Sequence, residues 1–280
     1  MAKATNPIKH TFLREGELSI DNSDTGGFTY LGIAYNKNKD FTIINEILEL
    51  VGKELISLKV ISSVEELRNL GTPKGKPINI GPVILKNLND MLRKAKYQDK
   101  IIEYYKKKYW DIIKCDDISS QTLAEELFDF GVNAGPITAA KILQRLVNVK
   151  DDGNIGEMSI YAINCVICFD LFSLQLNFAL EKIKHYYIIA KNPGSDNRKY
   201  IHGWLNRTYE IFDGFYEMDD LKRLVQKTSA DGKFGPKNMN GLKLYLEDDY
   251  DNLLKFIKVY DANVAYKTHR NVDTLLKVLG

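Results

Sequence analysis

Apolar residues in this chain return at helical spacing in at least five segments, and no stretch alternates apolar with polar over several successive strand lengths. That pattern excludes a sandwich or barrel of strands and predicts a mainly α fold. Ile44, Ile47, Leu48, Val51 and Leu55 fall at i, i+3, i+4, i+7 and i+11, one face of an amphipathic helix. Ser63 with Glu66 three residues on is a capping box, opening a short helix that stops at Gly71. From Gln98, Ile101, Tyr105, Tyr109 and Ile112 mark another helix. Leu123, Leu127 and Phe130 line a further one that Gly131 is expected to break, and Pro136 restarts a helix carrying Ala139, Ala140, Leu143 and Leu146, with Asn133 between them expected to bond backbone across the break. Tyr161 to Leu176 is apolar enough for a buried core helix. Leu253, Leu254, Ile257 and Val264 suggest a last one.

At 280 residues, with 44% hydrophobic and 27% charged, the chain has the composition of a globular protein longer than one usual domain. Lys and Arg number 39 against 37 acidic residues, and a net charge of +2 gives no basis for a nucleic-acid partner. The first seven residues hold no apolar run of signal-peptide type, and Asn164, Asp170 and Gln175 interrupt the nearest approach to a membrane span. The expectation is a protein made in the cytoplasm without a signal and not inserted in a membrane. Cys115, Cys165 and Cys168 suit a reducing compartment. The Cys165-x-x-Cys168 pair sits in an apolar helical run without a second ligand pair, and the four histidines are scattered, so neither metal nor cofactor is expected.

Chemistry concentrates between Arg14 and Ile33. An apolar segment ending at Phe12-Leu13 runs into Glu15-Gly16-Glu17 and then into a glycine-bearing polar turn. Glu15, beside a glycine that lets substrate or backbone approach, can serve as the proton donor of a glycosidase. Asp24, Asp21 and Glu17 are candidates for a second carboxylate, and the Thr29 hydroxyl for holding a water or a sugar. The same residues also make an ordinary turn, in which Asp and Asn bond backbone amides and the Gly pair supplies positive φ. The basic loop Gly71-Thr72-Pro73-Lys74-Gly75-Lys76-Pro77 reads as surface. Lys106-Lys107-Lys108-Tyr109-Trp110 offers either core packing of its aromatics or rings on which a sugar can stack.

Glu15-Gly16, followed by Asp24-x-Gly26-Gly27-x-Thr29-x-x-Gly32-Ile33, resembles the signature of glycoside hydrolase family 108, the N-acetylmuramidases related to bacterial secretion activators and phage endolysins. The resemblance implies a lysozyme-like helical catalytic part, with Glu15 as the acid and Asp24 and Thr29 assisting. Glu17 stands where the family usually has a second Gly, and Leu18 where it usually has an aromatic residue. Phe128-Asp129-Phe130-Gly131-Val132-Asn133-Ala134-Gly135-Pro136, then Asp152-Gly153-Asn154-Ile155-Gly156, Asn192-Pro193 and Gly203-Trp204-Leu205-Asn206-Arg207, resemble in order the predicted peptidoglycan-binding domain that follows in these enzymes.

The organisation implied is a catalytic domain over 8–117, a peptidoglycan-binding domain over 118–210 and a helical extension over 211–280, where Asp231-Gly232-Lys233-Phe234-Gly235-Pro236 echoes the Asp152 turn. Glu17, Tyr30, Tyr109, Trp110 and Asn133 are the expected substrate contacts. The implied activity is cleavage of the β-1,4 bond between N-acetylmuramic acid and N-acetylglucosamine at the cell wall or periplasm, reached by lysis, a holin, a phage particle or a secretion system. A catalytically silent peptidoglycan-binding or secretion-accessory protein is the other reading, resting on Glu17 and Leu18.

Overall fold

The computed structural model describes residues 2–192, 196–213, 218, 221–222, 250–269 and 272–279. The described chain is mainly helical and divides into two compact units, Lys3–Asp111 and Ile112–Gly280, the second including Ala2. The division falls at 111, and the described residues past 210 group with the second unit. Pro193 and the Asp231–Pro236 segment lie outside the described residues.

The first unit opens with α1 (Thr5–Glu15), followed by three short antiparallel strands, β1 (Leu18–Ile20), β2 (Phe28–Tyr30) and β3 (Ile33–Ala34), in the order β1-β2-β3. Strands this short leave too few alternations to read from sequence. Then come α2 (Thr42–Ser57), α3 (Glu65–Arg68), α4 (Pro82–Lys94) and α5 (Tyr97–Tyr105), the last continuing as one π-helical turn over Lys106–Trp110. The periodic face of α2 is the buried one: Ile44, Ile47, Leu48, Val51 and Leu55 are fully enclosed, each burial contributing about 1.5 to 3 kcal/mol. At α3 the Glu66 carboxylate accepts from the Ser62 hydroxyl at 2.6 Å and from the amides of Ser62 and Ser63 at 2.7 and 3.1 Å, bonds that pull its pKa down. The sheet packs through Leu18, Phe28, Tyr30 and Ile33, and Tyr105 donates its hydroxyl to the Leu31 carbonyl at 3.0 Å.

The second unit contains α6 (Gln121–Ala134), α7 (Pro136–Leu146), α8 (Glu157–Ala190), α9 (Ile201–Asp213), α10 (Tyr250–His269) and α11 (Val272–Leu279). Ser120 caps α6, its Oγ accepting from the Leu123 amide at 3.3 Å. Gly131 does not break this helix. The chain stays helical to Ala134, and Gly135, at φ +90°, makes the turn. A Cβ at Gly131 would stand 3.0 Å from Ile113 Cδ1, so the missing side chain serves close packing.

Two further expectations are corrected here. Tyr161 to Leu176 belongs to the 34-residue α8, whose backbone leaves helical geometry at Asp170 (φ −156°, ψ 72°). The Asp170 carboxylate accepts from the Ser173 amide at 3.0 Å, so this residue caps a second helix within the run. Before that cap the helix is not a core helix, since Tyr161 and Phe169 are 68% and 77% exposed. By length and composition α8 is long and apolar enough to cross a membrane, a measure that core helices also meet. Asn133 was expected to satisfy backbone between packed helices. It is exposed, and its Nδ2 donates instead to the Tyr186 hydroxyl at 3.3 Å.

Candidate active site

Glu15 is the last residue of α1, and its side chain lies outside the described ones. The next residue, Gly16, sits at φ 77° and ψ 175°, a backbone region open essentially only to glycine. A Cβ there would meet nothing within 4 Å. Gly16 is therefore required by conformation: it turns the chain sharply off the helix, with open space where a Cβ would stand.

Glu17 follows at the start of the hairpin, its carbonyl accepting from the Leu31 amide at 3.4 Å. Its Oε1 lies 3.5 Å from Arg93 Nε, and Arg93 also holds Asp90 at 3.0 Å. Asn89, one turn before Arg93 on α4, accepts the Leu18 amide at 3.1 Å. Thus α4 fastens the first strand just after Glu15. Sequence reasoning missed Asn89 and Arg93, which occupy ordinary positions of an amphipathic helix.

The β1–β2 loop, residues 21–27, is held by short polar contacts. Asp21 Oδ1 accepts from the Ser23 hydroxyl and amide, both at 2.7 Å, and these bonds lower its pKa. Asp24 Oδ1 accepts from the Gly26 amide at 3.0 Å, and the Asp24 carbonyl from the Gly27 amide at 2.9 Å. The loop also locks to residues 69–75. Asn36 donates to the carbonyls of Thr25 and Leu70 at 3.1 and 2.7 Å, and Asn22 accepts the Gly71 amide at 3.3 Å. A Cβ at Gly27 would stand 2.4 Å from the Leu70 carbonyl oxygen, and one at Gly71 would stand 2.2 Å from that of Asp24. Gly27 is thus needed for approach as well as for its φ of 68°. The Gly71 loop clamps the segment that carries Asp24.

Register decides which side chains share a face. Leu18 pairs with Tyr30, Ser19 with Thr29 and Ile20 with Phe28, while Thr29 also pairs with Ala34. Leu18, Phe28 and Tyr30 are buried, so Ser19, Thr29 and Ala34 line the other face. A Cβ on Gly26 would lie 3.0 Å from Ala34 Cβ and 3.4 Å from Asp24 Oδ2, which brings the exposed Asp24 carboxylate to that face. The Thr29 Oγ1 atom is buried and has no hydrogen-bond partner among the described residues. A buried hydroxyl in that condition carries an uncompensated cost that a bound polar group would remove.

The remaining expected contacts divide. Tyr30 is 1% exposed and Trp110 fully buried, so neither offers a ring face to a sugar, and both are core residues here. Burial, with the charge of Glu17 second, pushes the Tyr30 hydroxyl up to about 12. Tyr109 is half-buried, its ring 5.5 Å from that of Tyr105. Asn133 belongs to the second unit. Among the described residues no group of three or more His, Cys, Asp or Glu is placed to hold a metal.

Residues 8–135 match the family model described as Glycosyl hydrolase 108, and residues 138–209 match that described as Predicted Peptidoglycan domain. The first match extends through α6 and so runs past the structural division at residue 111. Among solved structures the chain is similar to that titled Structure of Brucella abortus SagA, with 18% identity, a TM-score of 0.44, and coverage of 74% of this chain and 90% of that one. No curated protein matches the chain.

Proposed function

We propose that this chain, whose residues 8–135 match the glycosyl hydrolase 108 model and whose residues 138–209 match the predicted peptidoglycan domain, is a glycosidase directed at the cell wall, and specifically an N-acetylmuramidase with Glu15 as its general acid. The bond cleaved is the β-1,4 linkage between N-acetylmuramic acid and N-acetylglucosamine. One observation carries the reading: Glu15 closes α1 at an open glycine, and in the sheet that follows the buried Thr29 hydroxyl has no partner among the described residues.

In this mechanism Glu15 gives its proton to the glycosidic oxygen as the bond to the sugar breaks. Asp24, with one oxygen held by the Gly26 amide, keeps the other for the attacking water, and Thr29 fixes that water's position. Glu17 begins the ladder at the end beside Leu31, whereas Asp24 lies in the loop at the opposite end. The reading takes Glu15 and Asp24, on either side of β1, as an inverting pair, which keeps its carboxylates about 6.5 to 9.5 Å apart to admit a water and gives an α product. Peptidoglycan is the partner, and a holin or secretion system would bring the enzyme to it.

Loss of turbidity of purified cell walls tests the assignment. Glu15→Gln keeps the shape and removes the proton, and lysis should fall at least about a hundredfold with folding unchanged. Undiminished lysis would remove Glu15 from the acid's role. A silent wall-binding protein is the second reading, favoured by the Glu17–Arg93 pair where the family usually has glycine. It requires wall binding without lysis by the parent chain.

A further inference from the structure

Three segments distant in sequence meet inside the second unit. Asp129 on α6 lies 3.4 Å from Arg207 Nε on α9, with both side chains largely withdrawn from solvent. Between these helices runs α8, whose Tyr186 stacks on Trp204 with ring centres 5.1 Å apart and planes 22° from parallel. The Tyr186 hydroxyl accepts from Asn133 Nδ2. Burial, with Asp129's charge second, raises the Tyr186 pKa, so this hydroxyl stays protonated. One helical turn before Trp204, Tyr200 sets its ring 6.0 Å from the indole at 35°.

The three rings step outward. Tyr186 is 3% exposed, Trp204 is intermediate and Tyr200 is 50% exposed. Packing encloses the inner ring, whereas the outer one keeps half its surface in water and so can meet a ligand. Gly203, beside Trp204, is exposed, and a Cβ there would meet nothing within 4 Å, so no side chain overhangs the indole from that position. Asn206 serves the frame instead: its amide oxygen accepts from Asn263, and its Nδ2 contacts His202 at 3.2 Å. Within Gly203-Trp204-Leu205-Asn206-Arg207, then, Asn206 and Arg207 brace the helix while Trp204, partly exposed, lies between the buried Tyr186 and the half-exposed Tyr200.

We propose that Tyr200 and Trp204, with the exposed amide of Asn133, form a glycan-binding platform for peptidoglycan in the unit that does not hold Glu15. Aromatic faces stack on the apolar face of a pyranose, and an exposed carboxamide can hydrogen-bond the N-acetyl groups that both peptidoglycan sugars carry. Lys199 is exposed and holds its Nζ over the Tyr200 ring at 5.1 Å, so a sugar that stacks on that face displaces the ammonium to its edge. The inference rests on the wall-directed reading and names the surface that makes the contact.

The test is sedimentation of the Glu15→Gln chain with insoluble purified peptidoglycan, which separates binding from cleavage. Adding Tyr200→Ala, at a half-exposed ring, should weaken apparent affinity about tenfold with the melting temperature unchanged. Adding Asn133→Ala should weaken it less, and Trp204→Phe, which keeps a ring, should retain part of it. Binding equal to the Glu15→Gln parent in both Tyr200→Ala and Asn133→Ala would overturn the platform, as would failure of that parent to sediment. Lysis by the wild-type chain separates the two readings. Binding through the platform without lysis removes the muramidase alone, and lysis with unaltered binding in these variants removes the platform alone.

Discussion

Thr29 stands directly opposite Ser19 in the β1–β2 ladder, on the face turned away from Leu18, Phe28 and Tyr30. Its hydroxyl is buried and makes no bond to any of the described residues. Thr29→Val keeps the shape and deletes only that hydroxyl. Stability should hold or rise by up to about 1 kcal/mol, since no protein bond is lost, while wall lysis falls at least about tenfold. Denaturant melts and turbidity assays of one preparation check both, and a destabilised variant with full activity would make the hydroxyl structural.

The loop carrying Asp24 depends on glycine at two positions in contact with it. Gly27→Ala and Gly71→Ala each place a Cβ within 2.4 Å of a carbonyl oxygen at a left-handed backbone. The backbone strain alone costs about 1 to 3 kcal/mol. Both variants should melt lower and lose activity, because relief of the clash moves the Asp24 loop. Wild-type melting for either would refute the clamp.

Lys182 and Glu126 form an ion pair at 3.3 Å with side chains only 1% and 0% exposed. Burial dominates at Glu126 and raises its pKa, Lys182 opposing. Removing one partner strands the other charge, so Glu126→Leu should cost about 3 to 5 kcal/mol. Adding Lys182→Met should recover most of it. A double variant no better than the single would show that the pair does not act as a unit.

His185 packs against Phe130 at 5.5 Å, and burial lowers its pKa below the usual 6.5. Lys141, Arg145, Glu181 and Lys184 line the same cavity. With the folded value depressed, the unfolded chain binds the proton first as pH falls. Stability from this group is therefore complete above about pH 6.5 and is lost as pH drops through the folded value. Melting temperature followed from pH 7.5 to 5 should fall less for His185→Gln than for the parent, and parallel curves would contradict the assignment.

Helices were legible in the sequence because their apolar faces repeat: α2 buries the residues its spacing named. The strands were not, since three-residue and two-residue segments hold no period. Gly131 misled because a glycine that ends a helix and one that admits a neighbour look alike until Ile113 is seen against it. Tyr30 and Trp110 read as sugar contacts from residue type alone, which does not reveal the face a ring turns inward. The Glu15-Gly16 pair and the Asp24-to-Thr29 run stood out because their glycines answer to backbone geometry. Asn89, Arg93 and Asn36, which hold that run in place, carry no such mark.

The reducing ends released from purified peptidoglycan test the central claim most directly. After borohydride reduction and mass analysis, a muramidase leaves the alcohol of N-acetylmuramic acid, and this product should vanish in Glu15→Gln. The alcohol of N-acetylglucosamine, or fragments cut only in the stem peptide, would contradict the account.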